Sequence, residues 1–285
     1  MVAVSVVIPA FNPGPFLAIA LDSLVTQTFT SWEAVVVDDG SHEPLSWVAG
    51  RDPRITLLRQ TNQGLSAARN AGILATTAPL IAFLDADDVW LPGKLDSQVA
   101  RLTREPGLGM LSTAFAIIDS DGRITGPGYQ GFSTSYEELL GGNGVCVSTA
   151  VVRRAALEQV GLFDTGLRTA QDWDLWLRIA RVGAIDKLPE VLAHYRIHSG
   201  GMTQDWRLSL HEAEVVLRRH PSPRASRGLA AARERAVHQA FDAARAAARS
   251  RRLGTLSRNL AYVAAHRPSV LARAVGQRLI NRDRS

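Results

Sequence analysis

Residues 80–88 read Leu80-Ile81-Ala82-Phe83-Leu84-Asp85-Ala86-Asp87-Asp88, five apolar residues followed by three carboxylates within four positions. So short an apolar run is typical of a strand buried on both faces of a parallel sheet. The three carboxylates repel one another unless exposure or a cation relieves them. A strand that ends in Asp-x-Asp offers oxygen ligands to Mg²⁺ or Mn²⁺, hard ions that complete their shells with water and substrate phosphates. A solvated turn is the alternative, since Asp is common in turns. However, these carboxylates emerge directly from the core and are followed by Trp90-Leu91-Pro92, which favours a metal with a phosphate. An EF-hand is excluded, because its third ligand and central glycine would fall on Val89 and Trp90.

The pattern upstream repeats this arrangement. Residues 2–9 form a β-branched apolar run, and residues 16–28 carry Leu17, Ala20, Leu21 and Leu24 at helical spacing. Residues 33–37 form a second buried strand, closed by Asp38-Asp39-Gly40-Ser41, and residues 55–58 a third. Residues 65–74 read as a helix after Asn62-Gln63-Gly64, ahead of the strand at 80–84. Alternating strands and helices predict a doubly wound α/β sheet, whose ligands bind beyond the carboxyl ends of the strands. Ala10-Phe11-Asn12, Asp38-Asp39 and the 85–88 cluster all fall at such ends.

From about residue 106 the texture changes. Gly- and Ser/Thr-rich stretches at 126–135 and 141–149 separate strand candidates at 110–118 and 145–152. A helix begins near Thr169 and carries Trp173, Trp176, Leu177 and Ala180 on one face. After Gly200-Gly201 the chain is Ala/Arg-rich and helical in period, with breaks at Pro221-Ser222-Pro223 and Pro268. There is no internal repeat.

The 285 residues suit one large domain or two, and 46% hydrophobic against 21% charged residues excludes wholesale disorder. A single cysteine, Cys146, excludes an internal disulfide scaffold and leaves a zinc ribbon without ligands. The net charge of +5 is unevenly spread: residues 1–200 carry 15 Lys+Arg against 21 Asp+Glu, whereas residues 201–285 carry 17 against 6. Lysine is nearly absent (Lys94 and Lys187 only), a composition that hints at a GC-rich bacterial gene. Residues 1–21 are uncharged, but Pro9, Pro13 and Pro15 would break a spanning helix and no basic segment precedes the apolar run. The expectation is a cytoplasmic protein, at most peripherally bound to the inner face of the membrane.

Several residues stay open between structure and chemistry. Turn chemistry with Gly40 accounts for one of Asp38 and Asp39, while the other is free to accept a nucleotide N–H or a ribose hydroxyl. Arg69, on a stretch of small residues, either anchors a phosphate or pairs with an Asp. Thr169-Ala170-Gln171-Asp172 has the spacing of a capping box, and on spacing alone that outweighs a general-base role for Asp172. His194 and His198 flank Tyr195-Arg196-Ile197 ahead of a Ser-Gly-Gly turn, where they are packed side chains or close over a diphosphate.

Taken together, these blocks resemble the inverting glycosyltransferases of family 2. The matching stretches are Val4-Ser5-Val6-Val7-Ile8-Pro9-Ala10-Phe11-Asn12, Trp32-Glu33 to Ser41, Asn62-Gln63-Gly64 to Asn70-Ala71-Gly72, and Phe83 to Asp88. Gln171-Asp172-Trp173-Asp174 and Tyr195-Arg196-Ile197-His198 are similar to two later motifs of that family, so the likeness covers about residues 3–203. It implies a GT-A fold: a Rossmann-like α/β domain with a mostly parallel central sheet flanked by helices, here followed by a C-terminal helical tail. On this basis residues 1–105 would be the nucleotide-sugar half, 106–203 the acceptor half with the base, and 204–285 the tail.

The resemblance further implies that Pro9, Ala10 and Asn12 line the nucleotide pocket and that Asp39 meets the base, often uracil. Arg69 would lie near the nucleotide or its phosphates, and Asp85 near the ribose and metal. Asp87, Asp88 and His198 would hold a divalent cation, Mn²⁺ or Mg²⁺, on the donor diphosphate. Asp172 matches the catalytic base, although the acidic residue that often precedes it in the family is the neutral Gln171 here. The donor would be a nucleoside-diphosphate sugar, UDP-sugar favoured, and the acceptor a glycan or lipid-linked hydroxyl.

Two other classes compete. A nucleotidyltransferase would need a basic glycine-rich loop after the first strand, where this chain has the uncharged Pro9-Ala10-Phe11-Asn12-Pro13-Gly14-Pro15. An inactive nucleotide-sugar or polyanion-binding protein would use the basic tail. The tail's arginines are interspersed with Ala and Leu at helical spacing and have little aromatic interleaving, so nucleic acid is not expected. A solvated helical face is the default reading, and docking beside an anionic membrane that carries lipid-linked acceptors is the alternative to it.

Overall fold

The computed structural model describes residues 2–128, 134–198, 205–249 and 253–267. The chain divides into two compact units, Met1–Gly201 and Met202–Ser285. The Ser199-Gly200-Gly201 turn and Pro268, both singled out in the sequence, lie outside the described residues.

In the first unit, β1 (Val4–Ala10) pairs in parallel with β2 (Trp32–Asp38) on one side and β4 (Leu80–Phe83) on the other, and β2 pairs in parallel with β3 (Ile55–Arg59). β1 is buried along its whole length because both faces of the sheet are covered. Val4, Val6 and Ile8 pack with Leu17, Ala20, Leu21 and Leu24 of α1 (Phe16–Val25). The alternate residues meet α2 (Leu65–Leu74) and an aromatic group in which Phe83 lies 5.3 Å from Phe163 and 6.2 Å from Trp176. Gly72 brings α2 close to the sheet: a Cβ there would stand 2.5 Å from Val7 Cγ1 and 3.2 Å from Val37 Cγ2.

The sheet continues with a change of direction. β8 (Val151–Arg153) runs antiparallel to β4 and to β6 (Leu108–Ile118), which in turn pairs in parallel with the long β9 (Ala184–Arg196). β5 (Val89–Trp90) closes the order β3-β2-β1-β4-β8-β6-β9-β5, and β7 (Ile124–Pro127) pairs with β6. The flanking helices of this half are α3 (Lys94–Arg104), α4 (Tyr136–Gly141), α5 (Arg154–Val160) and α6 (Gln171–Ala180).

The strand expected over 145–152 is instead a 3-10 turn, Val147–Thr149, followed by β8. Thr149 accounts for the bend, since its N–H and its Oγ1 both donate to the Cys146 carbonyl, at 2.9 and 2.6 Å. At the start of α3, Lys94 is wholly buried. Its Nζ donates to Gln98 Oε1 at 2.7 Å and lies 4.0 Å from the Trp90 ring centre, and burial lowers its pKa to about 7.

The second unit consists, among the described residues, of α7 (Trp206–Arg218), α8 (Pro223–Arg249) and α9 (Leu253–His266). Trp206, Ala236, Val237, Ala240 and Val263 form its core. The expected break at Pro221-Ser222-Pro223 separates α7 from α8, with Pro223 opening α8 and Ser222 Oγ accepting from Ala225 N at 3.0 Å.

Gly72→Ala tests the close approach of α2. Alanine gains up to ~1 kcal/mol in helix propensity, but the overpacking against Val7 costs ~1–3 kcal/mol. The expected outcome is a lower urea midpoint than wild type.

Candidate active site

The register of the parallel strands brings three ends to one edge, since Ala10 pairs with Asp38 and Val7 with Phe83. Pro9 and Ala10 are buried at the end of β1. Asn12 follows with φ +46°, the only described non-glycine residue at positive φ and a conformation that Asn tolerates better than most residues. Its N–H donates to Ser41 Oγ at 2.9 Å, and its Oδ1 accepts from His42 N at 2.9 Å. The β1 and β2 loops are thereby tied together.

The acidic pair at the end of β2 divides its labour. Asp38 is fully buried and accepts from Ser41 N at 2.8 Å, which makes it the turn residue. Asp39 organises the loop before α2: Oδ1 accepts from Gln60 Nε2 (2.7 Å) and Gln63 N (2.8 Å), and Oδ2 from Gly64 N (2.8 Å). Beside it opens a cleft of about 550 Å³ lined by Gly40, Arg59, Gln60, Thr61 and Asn62.

The three carboxylates after β4 point in different directions. Asp85 Oδ1 accepts from Arg69 Nη2 at 2.6 Å. Arg69 is only 1% exposed and stands 5.4 Å from the Phe163 ring centre, and its Nε and Nη1 meet no acceptor among the described residues. Asp87 Oδ2 stands 3.0 Å from His198 Nε2. Burial and the neighbouring Asp85 charge raise the Asp87 pKa, against the hydrogen bond from His198.

Asp88 departs from the expected metal set, because it is 0% exposed and turned into the protein. Its Oδ2 accepts from Ser148 Oγ at 2.5 Å and its Oδ1 from Arg196 N at 2.9 Å. Burial, then the charges of Asp87 and Asp85, push its carboxyl well above the ordinary range. With both oxygens engaged by protein donors, Asp88 braces the turn from inside the protein. Arg196 completes the support: Nε donates to the Asp87 carbonyl at 2.8 Å, Nη1 to Asp119 O at 2.9 Å, and the guanidinium lies 4.8 Å from the Phe16 ring centre. Phe16 also stands 5.0 Å from the His198 ring. His194 remains in the β9 ladder opposite Val89, where burial and Arg196 lower its pKa.

Asp172 occupies the first turn of α6, whose N-cap position is Ala170, not the Thr169 that a capping box would use. Its Oδ1 accepts from Trp173 N at 2.7 Å and its Oδ2 from Asn143 Nδ2 at 2.9 Å. Burial raises its pKa, an effect opposed by the Arg69 charge and these hydrogen bonds and reinforced by Asp85. Arg69 therefore links the acidic turn to Asp172 electrostatically. Ser148, Asn143 and the supporting role of Arg196 were not singled out in the sequence. Asn143 sits in Gly141-Gly142-Asn143-Gly144, which carries only a turn signal.

Among the described residues no three His, Cys, Asp or Glu side chains are assembled to hold a metal by themselves. Asp87 and His198 fit a divalent cation as a two-ligand half-site, to be completed by phosphate oxygens and water.

Comparison with known proteins places this geometry in context. The sequence matches Glycosyl transferase family 2 over residues 5–161. It is 34% identical over 214 residues to an uncharacterized glycosyltransferase of Nostoc sp., covering 68% of this chain and 65% of that protein. It is 28% identical over 181 residues to the Escherichia coli UDP-Glc:alpha-D-GlcNAc-diphosphoundecaprenol beta-1,3-glucosyltransferase WfgD, covering 62% and 70% respectively. The chain spans only 34% of the length of a Rickettsia felis relative to which it is 29% identical. Among solved structures, S. aureus TarS 1-349 in complex with UDP-GlcNAc has a TM-score of 0.63 at 18% identity, covering 79% of this chain and 69% of that one. The mannosyltransferase PcManGT from Pyrobaculum calidifontis, in complex with GDP-Man and Mn²⁺, has a TM-score of 0.62 at 22% identity, covering 97% and 79%. The fold is GT-A, and the chain belongs to glycosyl transferase family 2.

Proposed function

We propose that the protein transfers a sugar from a nucleoside-diphosphate donor, UDP-sugar favoured, to a hydroxyl of a glycan or lipid-linked acceptor. The observation that carries this reading is the group formed by Asp85, Arg69 and Asp172, with Asp87 of the same turn paired to His198 just past β9. The donor named for WfgD and its diphosphoundecaprenol acceptor support the same classes here, as does the UDP-sugar bound by TarS.

Pro9, Ala10 and Asn12 line the nucleotide pocket in this reading, and Asp39 receives the base on the lone pairs its three donors leave. The free Nε and Nη1 of Arg69 face a donor that brings negative charge. Asp87 and His198 hold a Mn²⁺ or Mg²⁺ ion, which when bound neutralises charge on the diphosphate leaving group. Asp172 accepts the acceptor's hydroxyl proton as that oxygen bonds to the anomeric carbon. The bond to the diphosphate breaks on the opposite face, its electron pair leaves with the nucleoside diphosphate, and the sugar inverts. A positioned base contributes ~10²–10⁴-fold to such a step.

The tail offers a second contact. Arg218, Arg224, Arg227 and Arg235 are exposed on α7 and α8, and each basic residue near an anionic surface contributes ~1 kcal/mol. No described helix is long and apolar enough to cross a membrane.

Four outcomes are expected. Asp172→Asn lowers kcat ~10²–10⁴-fold while leaving the UDP-induced thermal shift intact. Because burial raises the Asp172 pKa and the deprotonated form is the active one, kcat falls on acidification at a pH above the ordinary carboxylate value of ~4. Thermal-shift measurements with UDP, GDP and dTDP, with and without Mn²⁺, should give one nucleotide whose stabilisation needs the metal, and Asp87→Ala should abolish that dependence. Anionic liposomes should float the intact chain but not one lacking residues 204–285; equal flotation would remove the tail from this account.

A further inference from the structure

Asn143 lies in a stretch with no motif, and its contacts reach the site from both sides. Its Nδ2 donates to Asp172 Oδ2 at 2.9 Å, and its Oδ1 accepts from Val145 N at 3.1 Å. These two bonds dictate the orientation of the amide, since a flip would set oxygen against carboxylate and NH₂ against N–H. The other Asp172 oxygen is held by Trp173 N at 2.7 Å, and Trp173 is itself anchored through Nε1 to Leu139 O at 2.7 Å. Each carboxylate oxygen thus has one fixed protein donor, and the remaining lone pairs are aimed by them.

The same short segment holds the acidic turn. Ser148, five residues on, accepts from Asp85 N at 3.0 Å and donates to Asp88 Oδ2 at 2.5 Å, while its carbonyl accepts from Trp90 Nε1 at 2.6 Å. Gln98 Nε2 binds the next carbonyl, Thr149 O, at 2.9 Å. We infer that residues 143–149 act as a gauge between the two halves of the site, and that Asn143 is the positioning residue that sets the Asp172 carboxylate relative to the 85–88 turn. The inference rests on Asp172 being the base. A side chain that misplaces a reacting group by about 1 Å loses ~10²-fold in rate, so a link of this kind has a measurable effect.

The charged and titratable groups acting on Asp172 are Arg69 of α2, Asp85 after β4 and Cys146 of the same segment. The thiol is neutral, its pKa held well above ordinary by burial and neighbouring carboxylates. The Asn143 hydrogen bond favours the ionised carboxylate, so its loss moves the Asp172 titration upward, by ~1 pH unit for one bond to a charged group.

The test compares wild type, Asn143→Ala, Asn143→Asp and Asp172→Asn. Carbon-13 NMR of the aspartate carboxyls follows the Asp172 signal, assigned by its loss in Asp172→Asn. Release of UDP from UDP-glucose and UDP-N-acetylglucosamine, with water as acceptor, gives kcat and KM. Asn143→Ala should raise the carboxyl midpoint by ~1 unit, and Asn143→Asp by more because it adds a like charge. Asn143→Ala should lower kcat ~10-fold with the donor KM within about twofold of wild type. A packing role alone would move thermal stability and leave the carboxyl titration unchanged. An unchanged titration in folded Asn143→Ala overturns the inference whether or not either sugar turns over, and Asn143→Ser replaces the alanine variant if that one does not fold. If Asp172→Asn keeps wild-type turnover, the base reading fails. If Asp172→Asn is inactive and Asn143→Ala keeps wild-type kcat, only the role of Asn143 fails.

Discussion

A carboxylate taken wholly out of water must have its charge met by the protein, and Asp88 is where this chain accepts that cost. Ser148 Oγ and Arg196 N satisfy its two oxygens from segments about sixty and one hundred residues further along the chain. Those bonds pin the turn that follows β4 to β9 and to the 147–149 turn. The positions of Asp85 and Asp87 follow from them: Asp85 is delivered to Arg69, and Asp87 to His198. Without the inward-turned third carboxylate, the turn would keep the Arg196 bond to the Asp87 carbonyl and the Asp85 N–H bond to Ser148 but lose two of its ties to the rest of the fold.

The charge pattern follows from that arrangement. The Asp85 charge raises the cost of ionising Asp87, and the buried guanidinium of Arg69 pairs directly with Asp85 alone of the two. A diphosphate alone would worsen this imbalance, whereas a diphosphate carrying a divalent cation would correct it. Arg69 also moderates the Asp172 pKa, which burial would otherwise raise further. Burial and a buried cation thus oppose each other at Asp172, which brings its titration nearer to neutral than that of an exposed Asp.

What could be read from the sequence depended on how local its cause was. β1, β2, β4 and α2 were legible because burial on both faces leaves an unbroken apolar run and helical spacing leaves small residues in register. The convergence of Asn12, Asp39 and Asp85 followed from strand direction alone. The inward rotation of Asp88 was not legible, because its cause is a serine sixty positions away. The 147–149 turn was hidden because Val145 and Val147 alternate as in a strand, while the bend is made by Thr149 hydrogen bonds. Much of β9 escaped notice, since Asp186, Lys187, Pro189 and Glu190 interrupt any apolar period. The tail's helices and their proline break were plain, because proline and alanine act on their own backbone.

Lys94 carries an implication for how this sequence can drift. Nearly every basic position here is arginine, yet the wholly buried one at the start of α3 is lysine. A guanidinium cannot shed its proton and brings five donors to a slot offering Gln98 Oε1 and the face of Trp90. An amine with a pKa of about 7 can rest there neutral, with one acceptor and an aromatic ring for company. An exchange of this lysine for arginine is therefore opposed by solvation chemistry at this site. Here the dry interior, through its single acceptor and its aromatic face, decides which cation the position can carry.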